Sequence, residues 1–161
     1  MPLCEFVIYM KILDVLQKEA ILANLSARDK KGVLDELATP VARIANQNKE
    51  AFVRVLIERE RLGSTGIGGG VGIPHGKFKD LKSLYLGFGL SRKGVDFESI
   101  DGRPTHLFFL LVTPENSTGL HLRVLAKISR ILKNDEFKQQ LVNAVDSDEI
   151  FSIIKEVDEE F

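Results

Sequence analysis

Cysteine is all but absent from this chain: Cys4 stands alone among 161 residues. One cysteine excludes an internal disulfide framework and fits a reducing compartment. Net charge is also missing, since 22 basic and 23 acidic residues leave a formal −1. Near-neutrality gives no support for nucleic-acid binding or for a polybasic membrane contact. No apolar run approaches the length of a membrane span. Met1 to Tyr9 is apolar but broken by Glu5, with no basic lead and no small-residue cleavage site. It therefore makes a poor signal peptide, and a cytoplasmic location is expected. No repeat, low-complexity stretch or linker is found.

What is present describes one ordinary globular domain. Apolar residues make up 44% of the chain and charged residues 28%, and the length suits a single domain with a real core. Met10-Lys11-Ile12-Leu13 reads as a second possible start, so residues 1–9 are expected to be an N-terminal extension the domain can do without, and 10–161 the domain itself. A short helix is predicted over Lys11 to Gln17 and a short strand over Ala20 to Leu25. Apolar spacing predicts a helix over Asp29 to Asn46 that Pro40 should kink or interrupt. Asn48 is a plausible N-cap for a helix from Lys49 to Leu62, ended by Gly63. Ser83 to Leu90 alternates as a strand does, and Thr105 to Val112 reads as a strand buried on both faces. Three helices are predicted at about Leu120–Lys133, Asp135–Val145 and Asp148–Val157. Mixed helices and strands in one unit predict an α/β fold.

The most informative segment is Gly72-Ile73-Pro74-His75-Gly76-Lys77. Ahead of it runs Ser64-Thr65-Gly66-Ile67-Gly68-Gly69-Gly70-Val71, and five of the thirteen glycines fall within Gly66 to Gly72. Glycine permits positive φ and close approach to a ligand, and successive N–H groups in such a loop suit an anion. From Gly63 to Lys79 there is no acid at all. A phosphoryl group on histidine carries close to two negative charges, which a carboxylate would repel. His beside an anion cradle thus suggests phosphoryl chemistry on His75; the plain alternative is a flexible surface loop with a stray histidine.

The preceding helix carries an anomaly. Phe52, Val53, Val55 and Leu56 form its apolar face, yet Arg59 and Glu60 project onto that face in the last turn. Charges there are costly without partners. Arg59 could reach a phosphoryl group through its planar fork. Equally, both charges could snorkel past the helix end, or Arg59 could favour the helix dipole.

Of the other histidines, His106 opens the apolar strand and reads as structural. His121 lies in the first turn of an apolar-striped helix that Ser117 or Thr118 could cap. The helix N-terminus disfavours imidazolium, so His121 should stay neutral and still donate one N–H. Alone it is a helix-start residue; paired across the fold with His75 it would complete a site. A nucleotide-binding loop is disfavoured, because no Gly-Lys-Ser/Thr ending follows and no frame gives Gly-x-Gly-x-x-Gly. A metal site from His75, His106 and His121 lacks ligand spacing and nearby acids.

These residues together resemble the type-2 enzyme IIA family of the bacterial phosphoenolpyruvate-dependent phosphotransferase system, the fructose/mannitol and nitrogen-regulatory group. The likeness rests on Arg59-Glu60-x-Leu62-x-Ser64-Thr65-Gly66-Ile67-Gly68, then Ile73-Pro74-His75-Gly76. Asp101-Gly102-x-Pro104, Thr113-Pro114 and Leu120-His121-Leu122 support it. It covers nearly all of Met10 to Val157. The resemblance implies an α/β sandwich in which helices flank a mixed sheet. It implies that His75 accepts a phosphoryl group from the phosphorylated histidine phosphocarrier protein and passes it to a IIB component, or holds it as a regulatory signal. His121 and Arg59 match the family's second histidine and active-site arginine, and no metal or organic cofactor is implied. Gly69, where some mannitol-type members carry Glu, and Lys77 favour the nitrogen-regulatory or fructose branch. The absence of a fused IIB, IIC or phosphocarrier region tilts the expectation toward a stand-alone regulator of nitrogen or carbon use. The alternatives are a fructose-type transport component, or a binding module that regulates by contact without phosphorylation. In the expected mechanism, the Ser64 and Thr65 hydroxyls, the loop N–H groups around Gly66, Arg59 and His121 stabilise the phosphoryl group in flight. Gly76 is expected to leave clearance for a partner's own histidine.

Overall fold

The apolar run Thr105–Pro114 becomes the central strand, β6, of a six-stranded mixed sheet. Its residues Phe108 to Val112 are fully buried, as a strand covered on both faces requires. The structure, a computed structural model, describes residues 10–160. The expected extension at 1–9 lies outside the described residues. In chain order come β1 (Leu16–Leu22), α1 (Lys30–Ile44), α2 (Lys49–Arg61), β2 (Gly66–Gly68), β3 (Val71–Gly72), β4 (His75–Phe78) and β5 (Tyr85–Val95). After β6 follow α3 (Thr118–Ile131), α4 (Asp135–Asn143) and α5 (Ser147–Glu160).

The sheet order is β1-β5-β6-β3-β2, with β4 also on β6. β5 runs antiparallel to β6, while β1 lies parallel to β5. On the other side of β6, β3 and β4 follow one another in a single parallel register. Val71 stands opposite Leu107 and His75 opposite Leu111. They are one strand interrupted at Ile73-Pro74. Pro74 has no N–H to give the ladder, but its carbonyl still accepts the Leu111 N–H at 3.0 Å, so the register survives the break.

Glycines set how closely the first helices approach. A Cβ on Gly87 would lie 2.8 Å from Val41 Cγ2 on α1, and one on Gly89 2.8 Å from Leu37 Cδ2. One on Gly76 would lie 3.0 Å from Val55 Cγ1 on α2. These alternate strand positions place α1 and α2 on one face. His75, next to Gly76, therefore points to the opposite face, where α3 packs.

Several boundaries depart from the sequence expectations. Pro40 does not end α1, which runs through it. Leu37, Ala38, Val41 and Ala42 around it are buried against the sheet side, and that packing outweighs one lost helix hydrogen bond. The helix expected over Lys11 to Gln17 shrinks to a single 3-10 turn, Ile12–Asp14. The strand begins at Leu16 rather than Ala20. The cause is distant in sequence: the Asp158 carboxylate on α5 accepts the N–H groups of Ile12 at 2.8 Å and Leu13 at 3.0 Å. The glycine-rich stretch forms strands rather than an open loop, because β6 supplies β3 with a ladder its composition does not suggest and β2 folds back onto β3. Asn48 caps α2 as expected, its side chain accepting the Ala51 N–H at 2.8 Å, a contact typically worth about 1 kcal/mol.

Candidate active site

The turn of the glycine hairpin lies at Gly68, Gly69 and Gly70, with φ of 90°, 65° and 80°. These are values glycine adopts without strain. Its anion is internal: the Asp101 carboxylate accepts the Gly69 N–H at 3.0 Å. The turn is also far from His75. His75 sits four residues beyond Val71 along β6, about 13 Å at the rise of a strand. The glycine turn is therefore not the cradle of a group on His75, contrary to the sequence expectation. The other end of the hairpin runs that way. Gly66 pairs with Gly72, and Ile73 donates its N–H to the Thr65 carbonyl at 3.0 Å, so the chain before Thr65 continues toward Pro74 and His75.

His75 opens β4 half-buried. Its Nδ1 lies 2.7 Å from the carbonyl oxygen of Ile73. A carbonyl can only accept, so Nδ1 carries the proton and a neutral ring leaves Nε2 with a free lone pair. Burial pushes the His75 pKa below its usual value, and the charges of Arg59 and Lys77 push the same way. The Ile73 carbonyl and the Glu60 carboxylate oppose this in part.

Across from it, on the first turn of α3, the His121 ring centre is 5.1 Å away at an interplanar angle of 59°. His121 is buried, and its Nδ1 is 2.6 Å from the hydroxyl oxygen of Thr113. Burial first, then the nearness of His75, Lys77 and Arg59, push its pKa down to about 4. Both rings are neutral at pH 7. If the Thr113 hydroxyl donates to Nδ1, the His121 proton sits on Nε2, available to an anionic oxygen.

Arg59 lies in the last turn of α2 with Nη1 donating to the Gly63 carbonyl at 2.8 Å, and its charge acts on both rings. The planar fork has further N–H groups beyond that bond. Lys77 donates from Nζ to the Thr118 hydroxyl at 3.2 Å, linking β4 to α3.

The loop hydroxyls have other work. Ser64 donates to the Phe97 carbonyl at 2.8 Å and accepts the Gly66 N–H at 3.0 Å. Thr65 is buried and its hydroxyl donates to Glu60. Each has one hydroxyl proton, and each proton is engaged within the protein. Gly66 is buried, and a Cβ there would lie 3.0 Å from the Ser99 Cα. The space left by Gly76 faces Val55 in the interior, not a docking partner. Glu60, the second anomalous charge, is buried in an ion pair with Lys30 at 3.1 Å.

His106 lies at the opposite end of β6, where Nδ1 donates to the Ser91 carbonyl at 2.9 Å. Among the described residues no group of three or more His, Cys, Asp or Glu could hold a metal ion. No helix among them is long and apolar enough to cross a membrane. Sequence reasoning singled out no role for Thr113, whose signal is a hydroxyl near the end of an otherwise apolar strand.

Known proteins resemble this chain in sequence and in fold. A nitrogen regulatory protein of Bradyrhizobium diazoefficiens is 41% identical over 145 residues, covering 90% of this chain and 95% of that protein. The fructose-specific EIIABC component of Bacillus subtilis is 37% identical over 92% of this chain, which matches 24% of that longer protein. Among solved structures, the nitrogen regulatory protein IIA-Ntr of Neisseria meningitidis superposes with a TM-score of 0.82 at 32% identity. It covers 88% of this chain and 97% of its own. Mannitol IIA of Escherichia coli in complex with phosphorylated IIB shares the fold, with a TM-score of 0.75 at 18% identity and coverage of 88% of this chain and 99% of that one. Residues 14–157 match the family model described as phosphoenolpyruvate-dependent sugar phosphotransferase system, EIIA 2. With the fold, the Pro-His-Gly strand and the match over nearly its whole length in agreement, this chain belongs to the type-2 enzyme IIA family of that system.

Proposed function

We propose that the protein is a phosphoryl carrier in which Nε2 of His75 takes a phosphoryl group from the phosphorylated histidine phosphocarrier protein. The observation that carries this reading is the Nδ1–Ile73 hydrogen bond. It fixes the tautomer of a neutral, half-buried imidazole so that Nε2 keeps a bare lone pair. In the transfer, the Nε2 lone pair bonds to phosphorus as the donor's P–N bond breaks, and the donor histidine leaves with that electron pair. His121 Nε2–H, Arg59 and Lys77 supply hydrogen bonds and positive charge to the phosphoryl oxygens, where the charge is spread in flight. Leu62 and Leu122, exposed and close in sequence to Arg59 and His121, suit contact with a protein partner.

Relatives from two organisms that are nitrogen regulatory proteins support a regulatory role, with the phosphorylation state as the signal; the cytoplasm is the location that goes with such a role. The 37% identity to a fructose-specific component favours a second reading, onward transfer to a fructose-type IIB component. Labelled protein offered to purified IIB separates the two. Retained label supports the regulator; rapid loss to IIB supports transport. Failure of the phosphocarrier protein to label this chain at all would leave a module that acts by contact alone.

A further inference from the structure

We propose that Glu60 is a positioning residue for the transfer, holding His75 in its reactive tautomer through a continuous chain of hydrogen bonds. This rests on the reading of His75 as acceptor. The chain begins at a buried carboxylate. Glu60 accepts the Thr65 N–H at 3.1 Å and also takes the Thr65 hydroxyl proton. Its charge is matched by Lys30 Nζ at 3.1 Å, which also pairs with Glu98 at 3.1 Å and lies 4.8 Å over the Phe97 ring. The Thr65 carbonyl, on the far side of the same residue, accepts the Ile73 N–H at 3.0 Å. The Ile73 carbonyl then accepts Nδ1–H of His75 at 2.7 Å.

Each link fixes the next. Two bonds from one carboxylate leave Thr65 no freedom to rotate. A fixed Thr65 carbonyl holds Ile73 by its N–H. Ile73 precedes Pro74, whose ring limits φ and restricts the residue before it, so the Ile73 carbonyl is aimed at the imidazole. An outer partner that sets which ring nitrogen bears the proton is what leaves the other free to react. The arrangement also explains how a carboxylate in the last turn of α2 is tolerated beside the acid-free stretch that follows: Lys30 neutralises it, and its oxygens face Thr65.

The test reads the ring of His75 by long-range proton–nitrogen NMR on the full, unphosphorylated chain, beside the rate of labelling by phosphorylated phosphocarrier protein. Glu60→Gln keeps the shape but places amide donors against Thr65 and Lys30. It is expected to move the His75 ring signals toward a mixture of tautomers and to slow labelling about tenfold or more, as small misplacements do. Thr65→Val removes one of the two grips and should shift both readouts in the same direction by less; it carries the test alone should Glu60→Gln not fold. Wild-type ring signals in either folded variant would overturn the proposal, as would slower labelling with an unmoved tautomer. The ring signals do not depend on phosphorylation. Wild-type protein that takes no label on His75 would remove the acceptor reading and leave the tautomer result standing.

Discussion

The rings of His75 and His121 stand 5.1 Å apart although the residues belong to different elements, the start of β4 and the first turn of α3. The ladder between β4 and β6 and the short turn after Pro114 bring them together. One ring has a fixed tautomer with a bare Nε2. The other is buried and neutral, so the pair can act as acceptor and hydrogen-bond donor without mutual repulsion.

Their unequal roles can be separated. His121→Ala is expected to accept label on His75 but to pass it on about 10²-fold more slowly, the usual effect of losing one transition-state donor. Thr113→Val should give a smaller loss of the same kind, by freeing the His121 tautomer. Rapid-mixing transfer measurements on the labelled variants check both, and normal onward transfer from His121→Ala would make it a helix-start residue only.

Arg59 and Arg61 lie on the same last turn of α2 and make a matched pair. Arg59→Lys keeps charge but loses the planar fork. It should slow phosphoryl exchange and leave the melting temperature of the unphosphorylated protein nearly unchanged, while Arg61→Lys alters neither. A stability loss with normal exchange at Arg59 would instead mark its bond to the Gly63 carbonyl as its whole role.

The pH dependence of stability follows from His121. Its pKa in the folded protein is about 4, below the ordinary histidine value of roughly 6.5 in the unfolded chain. The unfolded state therefore binds more protons between these values. The stabilisation is present in full above the unfolded pKa and is lost as pH falls toward the folded one. From pH 7 to pH 5 the loss should be about 2 kcal/mol from this group. Denaturant titrations of wild type and His121→Gln at both pH values test it; equal slopes with pH in the two proteins would show that His121 is not the source.

Gly89 offers a control away from the site. A Cβ there would meet Leu25 Cδ1 at 2.7 Å and Leu37 Cδ2 at 2.8 Å, so Gly89→Ala is expected to cost about 1–3 kcal/mol through overpacking. Labelling of His75 per folded molecule should not change. Thermal melting beside a labelling time course reads both.

Much of this was legible before the structure. The buried central strand, the helix capped by Asn48 and the three closing helices announce themselves by period, but the cap expected from Ser117 or Thr118 is not made: Ser117 stands at the N-cap of α3 without a side-chain bond to it, and Thr118 is already helical. The Pro-His-Gly motif and the acid-free stretch mark His75, and the charged last turn of α2 marks Arg59 and Glu60. What escaped depends on distant partners. β3 and β4 exist because β6 offers them a ladder, and β2 because β3 does; the 3-10 turn at Ile12–Asp14 exists because Asp158 reaches it. Thr113 matters only because α3 turns back onto the strand end. The glycine turn misleads for the same reason: its composition suits an anion, but Asp101 already fills that role, well away from His75.

His75 is proposed to carry the phosphoryl group on Nε2. The direct measurement is the position of the label: protein labelled by phosphorylated phosphocarrier protein, examined by ring-nitrogen and phosphorus NMR, with His75→Ala as control. The expected result is an acid-labile, alkali-stable phosphohistidine at His75 with phosphorus bonded to Nε2, and no label on His75→Ala. Phosphorus on Nδ1, or wild-type labelling of His75→Ala, would contradict it.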